Sequence, residues 1–99
     1  MRTCQGQAAK AGLPNSHEVA DTLGWIYYKK GIAPQALTSL KQAVAAEPSN
    51  AIYLYHLGAA YALSKDKGNA RLTLEKALKL QPTFPGSDDA RKILDNLKG

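Results

Sequence analysis

Apolar residues recur at steps of three and four in two neighbouring stretches of the chain, and the same pair of stretches then comes round again. Over 17–30 the set Val19, Ala20, Leu23, Ile26 and Tyr27 shares one helical face, and over 35–46 Ala36, Leu37, Leu40, Ala43 and Val44 do the same. Both read as amphipathic helices, and helices near 51–64 and 68–80 repeat the arrangement. The punctuation agrees. Asn15 or Ser16 supplies an N-cap, with Glu18 placed to complete a capping box on Asn15, and Lys29, Lys30 and Gly31 put cations in the last turn and a glycine at the stop. Pro34 sits where a first helical turn tolerates proline, and Asn50 caps the third helix. In the second pair Lys65 stands where Gly31 stood, which leaves the shape of that turn open.

Three prolines, Pro14, Pro48 and Pro82, are separated by 34 residues each time, the mark of a repeat array. Laying 17–50 over 51–84 without a gap matches Leu23 to Leu57, Gly24 to Gly58, Tyr27 to Tyr61, Ala36 to Ala70, Leu40 to Leu74 and Ala43 to Ala77. Nearly everything between differs, as expected when a few packing positions are held and the surface drifts. Gly24 and Gly58 fall in mid-helix, where glycine costs about 1 kcal/mol relative to alanine. Close approach of a partner helix, with Ala36, Ala43, Ala70 and Ala77 facing it, is the expected compensation. Beyond Pro82 the phase breaks. Phe84, Pro85 and Gly86 form a connector, Ser87 is an N-cap, and Ala90, Ile93, Leu94 and Leu97 make one apolar stripe on a last helix suited to covering the open end of a solenoid.

These positions resemble the tetratricopeptide repeat, whose motif runs W-x2-L-G-x2-Y, A-x3-F and P in 34 residues. The chain has Ala20-x2-Leu23-Gly24-x2-Tyr27, Ala36-x3-Leu40 and Pro48, then Leu54-x2-Leu57-Gly58-x2-Tyr61, Ala70-x3-Leu74 and Pro82. The resemblance implies an all-α solenoid of antiparallel helix pairs: a remnant of a preceding repeat helix or a lead-in over 1–16, repeat units over 17–50 and 51–84, and a connector with a capping helix over 85–99. Residues 5–13 then read as the tail of an earlier second helix, and the chain as the C-terminal piece of a longer array. A narrower likeness, carried by Asp21 to Trp25, Tyr55 to Leu63, Leu74 to Leu78 and Phe84-Pro85 ahead of Asp89-Ala90-Arg91, is to the C-terminal end of bacterial tetratricopeptide lipoproteins of exopolysaccharide and PEP-CTERM sorting systems.

In this family the first helices of successive repeats line a groove that binds peptides or protein segments. Carried over by position, the groove residues are Glu18, Asp21, Trp25, Tyr28 and Lys29 in the first unit, and Ile52, Tyr55, His56, Ala59 and Leu63 in the second. Trp25, Tyr28 and Tyr55 would supply flat amphipathic anchors. The competing reading packs Trp25 on an upstream repeat or on the terminal helix. A carboxylate clamp of the kind chaperone-binding members use is not expected, because Asp21 and Trp25 stand where Lys and Asn would be needed. An apolar and basic segment is the better ligand.

Composition narrows the chemistry further. With 99 residues, 44% hydrophobic and 21% charged, one small core is affordable. No apolar stretch approaches the roughly 20 residues of a membrane span, and no signal segment is visible, so the chain reads as soluble with its compartment open between bacterial cytoplasm and envelope. Cys4 has no cysteine partner, His17 and Asp21 share a helical face without a third ligand, and no nucleophile, zinc or phosphate-loop motif occurs. Neither an enzyme, a metal site nor a cofactor is expected. The net charge of +5 is spread along the chain, with Lys29 and Lys30 at a helix end and Arg71, Glu75 and Lys79 on one solvated face, which argues against a nucleic-acid stripe. The expected function is a scaffold that binds a protein or peptide in its groove, with self-assembly through an exposed end face, and hence a homo-oligomer, as the alternative.

Overall fold

The computed structural model describes residues 16–98, five helices joined by short turns. They are α1 (Ser16–Lys29), α2 (Ala33–Ala46), α3 (Ala51–Leu63), α4 (Lys67–Leu80) and α5 (Ser87–Lys98). The readings of 1–15, including Cys4, the Asn15 cap and the earlier-repeat tail, lie outside the described residues. Helices α1 and α2 pack as an antiparallel pair, α3 and α4 as a second, and α2 carries the first pair onto α3. Helix α5 meets both α3 and α4, just as α3 meets both α1 and α2. The first helices α1, α3 and α5 touch in succession, whereas α2 and α4 do not touch each other. The stack therefore bends with α1, α3 and α5 on its inner side.

The notch at each mid-helix glycine is filled by a leucine from the partner helix. A Cβ on Gly24 would sit 2.5 Å from Leu40 Cγ, and one on Gly58 would sit 2.6 Å from Leu74 Cγ. Leu40, Leu74 and the alanines Ala36, Ala43, Ala70 and Ala77 are all wholly buried. Close approach is thus real, but the side chain that occupies it is leucine, with the alanines letting the helices draw together around it. Tyr27 and Tyr61 pack at the edges of the cluster formed by Ala36, Leu40, Leu57 and Ala60, between the two pairs.

The two intra-pair turns have one shape. The Ile32 and Gly31 amides donate to Tyr27 and Tyr28 carbonyls at 2.9 and 3.0 Å, and the Asp66 and Lys65 amides donate to Tyr61 and Ala62 at 3.0 and 3.1 Å. Each is a Schellman closure, which needs a left-handed residue at the first position past the helix. Gly31 takes φ +80° and Lys65 takes φ 71°. Lysine therefore holds a conformation that costs an L-residue about 1 kcal/mol, and the turn that sequence left open is the same turn. Asp66 then caps α4, accepting from Asn69 N at 3.3 Å, as Asn50 caps α3 by accepting from Tyr53 N at 3.1 Å.

At the end of the stack the cap differs from expectation by one residue. Ser87 is buried as the first residue of α5, and Gly86, with φ +99°, stands ahead of it. A Cβ on Gly86 would meet the Tyr55 ring at 2.5 Å, so the aromatic ring on α3 excludes a side chain there. Ala90 and Leu94 turn inward with Phe84, while Asp88, Arg91, Lys92, Asp95 and Asn96 face solvent. This polar outer face is what lets a last helix end the array.

Candidate interaction surface

The inner side of the stack is organised around Trp25. Its indole stacks on Tyr28 of the same helix, with centroids 4.6 Å apart and planes at 7°, and on His56 of α3, at 4.0 Å and 22°. Two rings this close to its centre cannot share one face, so the indole is a sandwich filling. Tyr55 leans against it at 5.5 Å and 55°, and Lys29 Nζ lies 5.8 Å from its centre. His56 is also held by its ring nitrogen. Nδ1 lies 2.7 Å from Asp21 Oδ1, and because a carboxylate only accepts, Nδ1 carries the proton and donates. The two side chains are 12% and 13% exposed, so this pair ties α1 to α3 largely out of water.

A second tie joins the same helices at their N-terminal ends. His17 Nε2 lies 3.2 Å from Glu47 Oε2 and donates there, and Nδ1 lies 3.1 Å from the Tyr53 hydroxyl. Glu47 Oε1 accepts from Asn50 Nδ2 at 3.0 Å, and Asn50 caps the Tyr53 amide, so the network closes on itself. Burial, and then the Glu47 carboxylate, raise the Tyr53 hydroxyl above its ordinary range, which keeps it protonated. His17 and Asp21 are four residues apart on α1. They part company in the fold: His17 reaches Glu47, at the end of α2, and Tyr53 of α3, while Asp21 reaches His56 of α3.

Of the residues carried over from the family groove, Asp21, Trp25, Tyr28, Lys29, Tyr55 and His56 form one cluster. Lys29 is exposed, and Trp25, Tyr28, His56 and Asp21 are partly exposed. Tyr55 and Ala59 lie beneath the surface, at 6% and 0% exposure, and form its floor. Ile52 is half-buried against the cluster of Ala51, Leu54, Tyr55 and α5 residues. Tyr55 also touches Phe84 at 6.0 Å, and burial, followed by the charge and hydrogen bond of Asp89, pushes its hydroxyl up to about 12. Asp89 was missed at the sequence level. It belongs to α5, and only the docking of that helix under α3 brings it to Tyr55. Among the described residues no three His, Cys, Asp or Glu side chains come together as a metal cluster.

Comparison with known proteins identifies the architecture. The family model described as tetratricopeptide repeat matches residues 22–95. The chain belongs to the tetratricopeptide repeat family. Such domains generally mediate protein–protein interactions and are typically non-catalytic. Cellulose synthase operon protein C of Escherichia coli strain K12 is 41% identical over 64 residues, 65% of this chain, and the putative cellulose synthase operon protein C of Escherichia coli O157:H7 matches to the same extent. The aligned region is 6% of each relative's length. No helix among the described residues is long and apolar enough to cross a membrane.

Proposed function

We propose that the chain is a non-catalytic binding module whose inner face, built by α1 and α3 and flanked by α5, takes an extended or helical polypeptide segment of apolar and basic character. The observation that carries this reading is the Asp21–His56–Trp25–Tyr28 cluster, which joins the first helices of both pairs into one stiff surface. A surface ordered before binding loses little side-chain entropy when a partner arrives. Tyr28, Lys29 and the open part of His56 form its rim, above a floor of Tyr55 and Ala59. Asp21 and Asp89 supply carboxylates from both sides, which suits a basic residue flanked by apolar ones.

The relatives' name places them in a cellulose synthase operon, and an interaction role within a polysaccharide-producing assembly is the biological setting of this proposal. Amide shifts followed by NMR while apolar-basic peptides are titrated test the surface directly. Shifts should gather on α1 and α3 around Tyr28, Lys29 and His56 and weaken about tenfold in Tyr28→Ala. Shifts confined to α2 and α4 would overturn the assignment.

A further inference from the structure

The imidazole of His56 is held from three directions. Asp21 Oδ1 lies 2.7 Å from Nδ1, the Trp25 indole covers one face with centroids 4.0 Å apart, and Tyr55 leans on the ring at 5.2 Å and 47°. Because Nδ1 donates to the carboxylate, the neutral ring carries its free lone pair on Nε2. That nitrogen has no hydrogen-bond partner among the described residues. The side chain is only 12% exposed, so Nε2 is an acceptor standing nearly out of water, where an unmet acceptor is costly. His17 makes the contrast. Both of its nitrogens are engaged, Nε2 with Glu47 and Nδ1 beside the Tyr53 hydroxyl, and it has nothing left to offer a ligand.

We propose that His56 Nε2 is the acceptor that selects a basic residue in the bound segment, taking an N–H of its lysine or arginine side chain. This rests on the polypeptide reading above and adds the atom that sets its preference. The charges around the ring suit a cation. Helix α1 contributes Asp21 and, at the exposed rim, Lys29; α3 contributes the Tyr55 hydroxyl, and α5 sets Asp89 beside that hydroxyl, so carboxylates outnumber the one lysine. Asp21 acts here as a positioning residue: by holding the proton on Nδ1 it keeps Nε2 bare. The same lock makes the site sensitive to acid. A second proton goes to Nε2, turns the acceptor into a donor and adds a positive charge, and a basic segment is then repelled.

Long-range proton–nitrogen NMR of the 99-residue chain reads the tautomer directly. Above the pH at which the ring takes its second proton, Nδ1 should be protonated and Nε2 bare, and Asp21→Ala should move the neutral ring toward the form protonated on Nε2. A neutral ring with its proton on Nε2 in the unaltered chain overturns the proposal, and a tautomer indifferent to Asp21→Ala overturns the role of Asp21. Binding is then compared for two peptides of one apolar sequence, one with a central lysine and one with norleucine in its place. The lysine peptide should bind about tenfold tighter, the worth of one hydrogen bond to a charged donor. That advantage should vanish in His56→Asn, which keeps a donor toward Asp21 but lacks Nε2, and in the unaltered chain as His56 takes its second proton. A lysine preference that persists in His56→Asn assigns the selection to the carboxylates and overturns the proposal. Equal binding of both peptides, with shifts on α1 and α3, overturns it too but leaves the polypeptide reading standing, whereas no shifts on that face with either peptide overturn both.

Discussion

Helices α1 and α3 occupy the same place in their repeats, and their matched apolar positions fare differently. Val19, Leu23 and Ile26 are 62, 43 and 44% exposed, whereas Tyr53, Leu57 and Ala60 are at 7, 6 and 0%. The periodicity that marks these residues as apolar is alike in both, so it cannot be what buries them. What differs is the neighbour: α3 lies under α2, and nothing among the described residues lies over the same side of α1. In a stacked array a side chain's contribution to stability is set by the adjacent unit as much as by its own helix.

The sharpest way to test that comparison is to truncate the same repeat position in both helices. Leu57→Ala should cost about 2–5 kcal/mol of unfolding free energy in urea, and Leu23→Ala about 1 kcal/mol or less. Equal losses would mean that α1 is covered in solution, and the contrast would fail. Next in size are the notch glycines. Gly58→Ala drives a methyl against Leu74, and after alanine's helical advantage a net loss of about 1–2 kcal/mol is expected. Gly24→Ala meets Leu40 as closely but sits on a helix free to shift outward, so its loss should be smaller.

The two ties between α1 and α3 differ in the same sense. Asp21→Asn leaves an acceptor oxygen but removes the charge from a pair mostly shielded from water and should cost about 1–2 kcal/mol, while Glu47→Gln, whose carboxylate is 43% exposed, should cost well under ~1 kcal/mol. Comparable thermal shifts for the two would show that burial is not what separates them. The turns give a gain instead of a loss. Lys65→Gly relieves a left-handed lysine and should stabilise by up to about 1 kcal/mol, and Gly31→Lys should reverse this in the first turn.

The smallest effect at neutral pH belongs to Tyr55. With its hydroxyl pushed from 10.0 up to about 12, the folded chain keeps it protonated where the unfolded chain ionises. Stability should therefore be unaffected below pH 10 and decline as pH rises from there toward about 12, the window between the unfolded and folded ionisations. Ultraviolet difference titration should show Tyr55 ionising late, and Asp89→Asn should bring it earlier. A tyrosine that titrates near 10.0 in the folded chain would remove Asp89 and burial as its controlling influences.

Much of the architecture was legible because each helix carries its own signals. The steps of three and four, the cap at Asn50, the stop at Gly31 and the 34-residue spacing are local or translational features, readable without coordinates. The inner surface was legible only in outline. Position within the repeat pointed to Asp21, Trp25, Tyr28, Tyr55 and His56, but their partners cross from one repeat to the next, and no spacing along the chain encodes the 2.7 Å contact of Asp21 with His56 or the stacking of His56 on Trp25. Likewise Trp25 and Tyr55 looked like free anchors. Stacked neighbours occupy the first and α5 buries the second, and that helix follows a connector whose length shifts the repeat's phase.

By itself, the sequence determined five helical segments, their pairing, their order and a close approach at Gly24 and Gly58, since helical periodicity and side-chain size act over a few residues. Tertiary structure decided which apolar stripe is covered, that Lys65 adopts glycine's conformation, and that two histidines become ties between repeats. Those outcomes depend on the distance and angle between helices. Such quantities emerge when whole faces pack together and the weaker local preferences yield to the stronger contact.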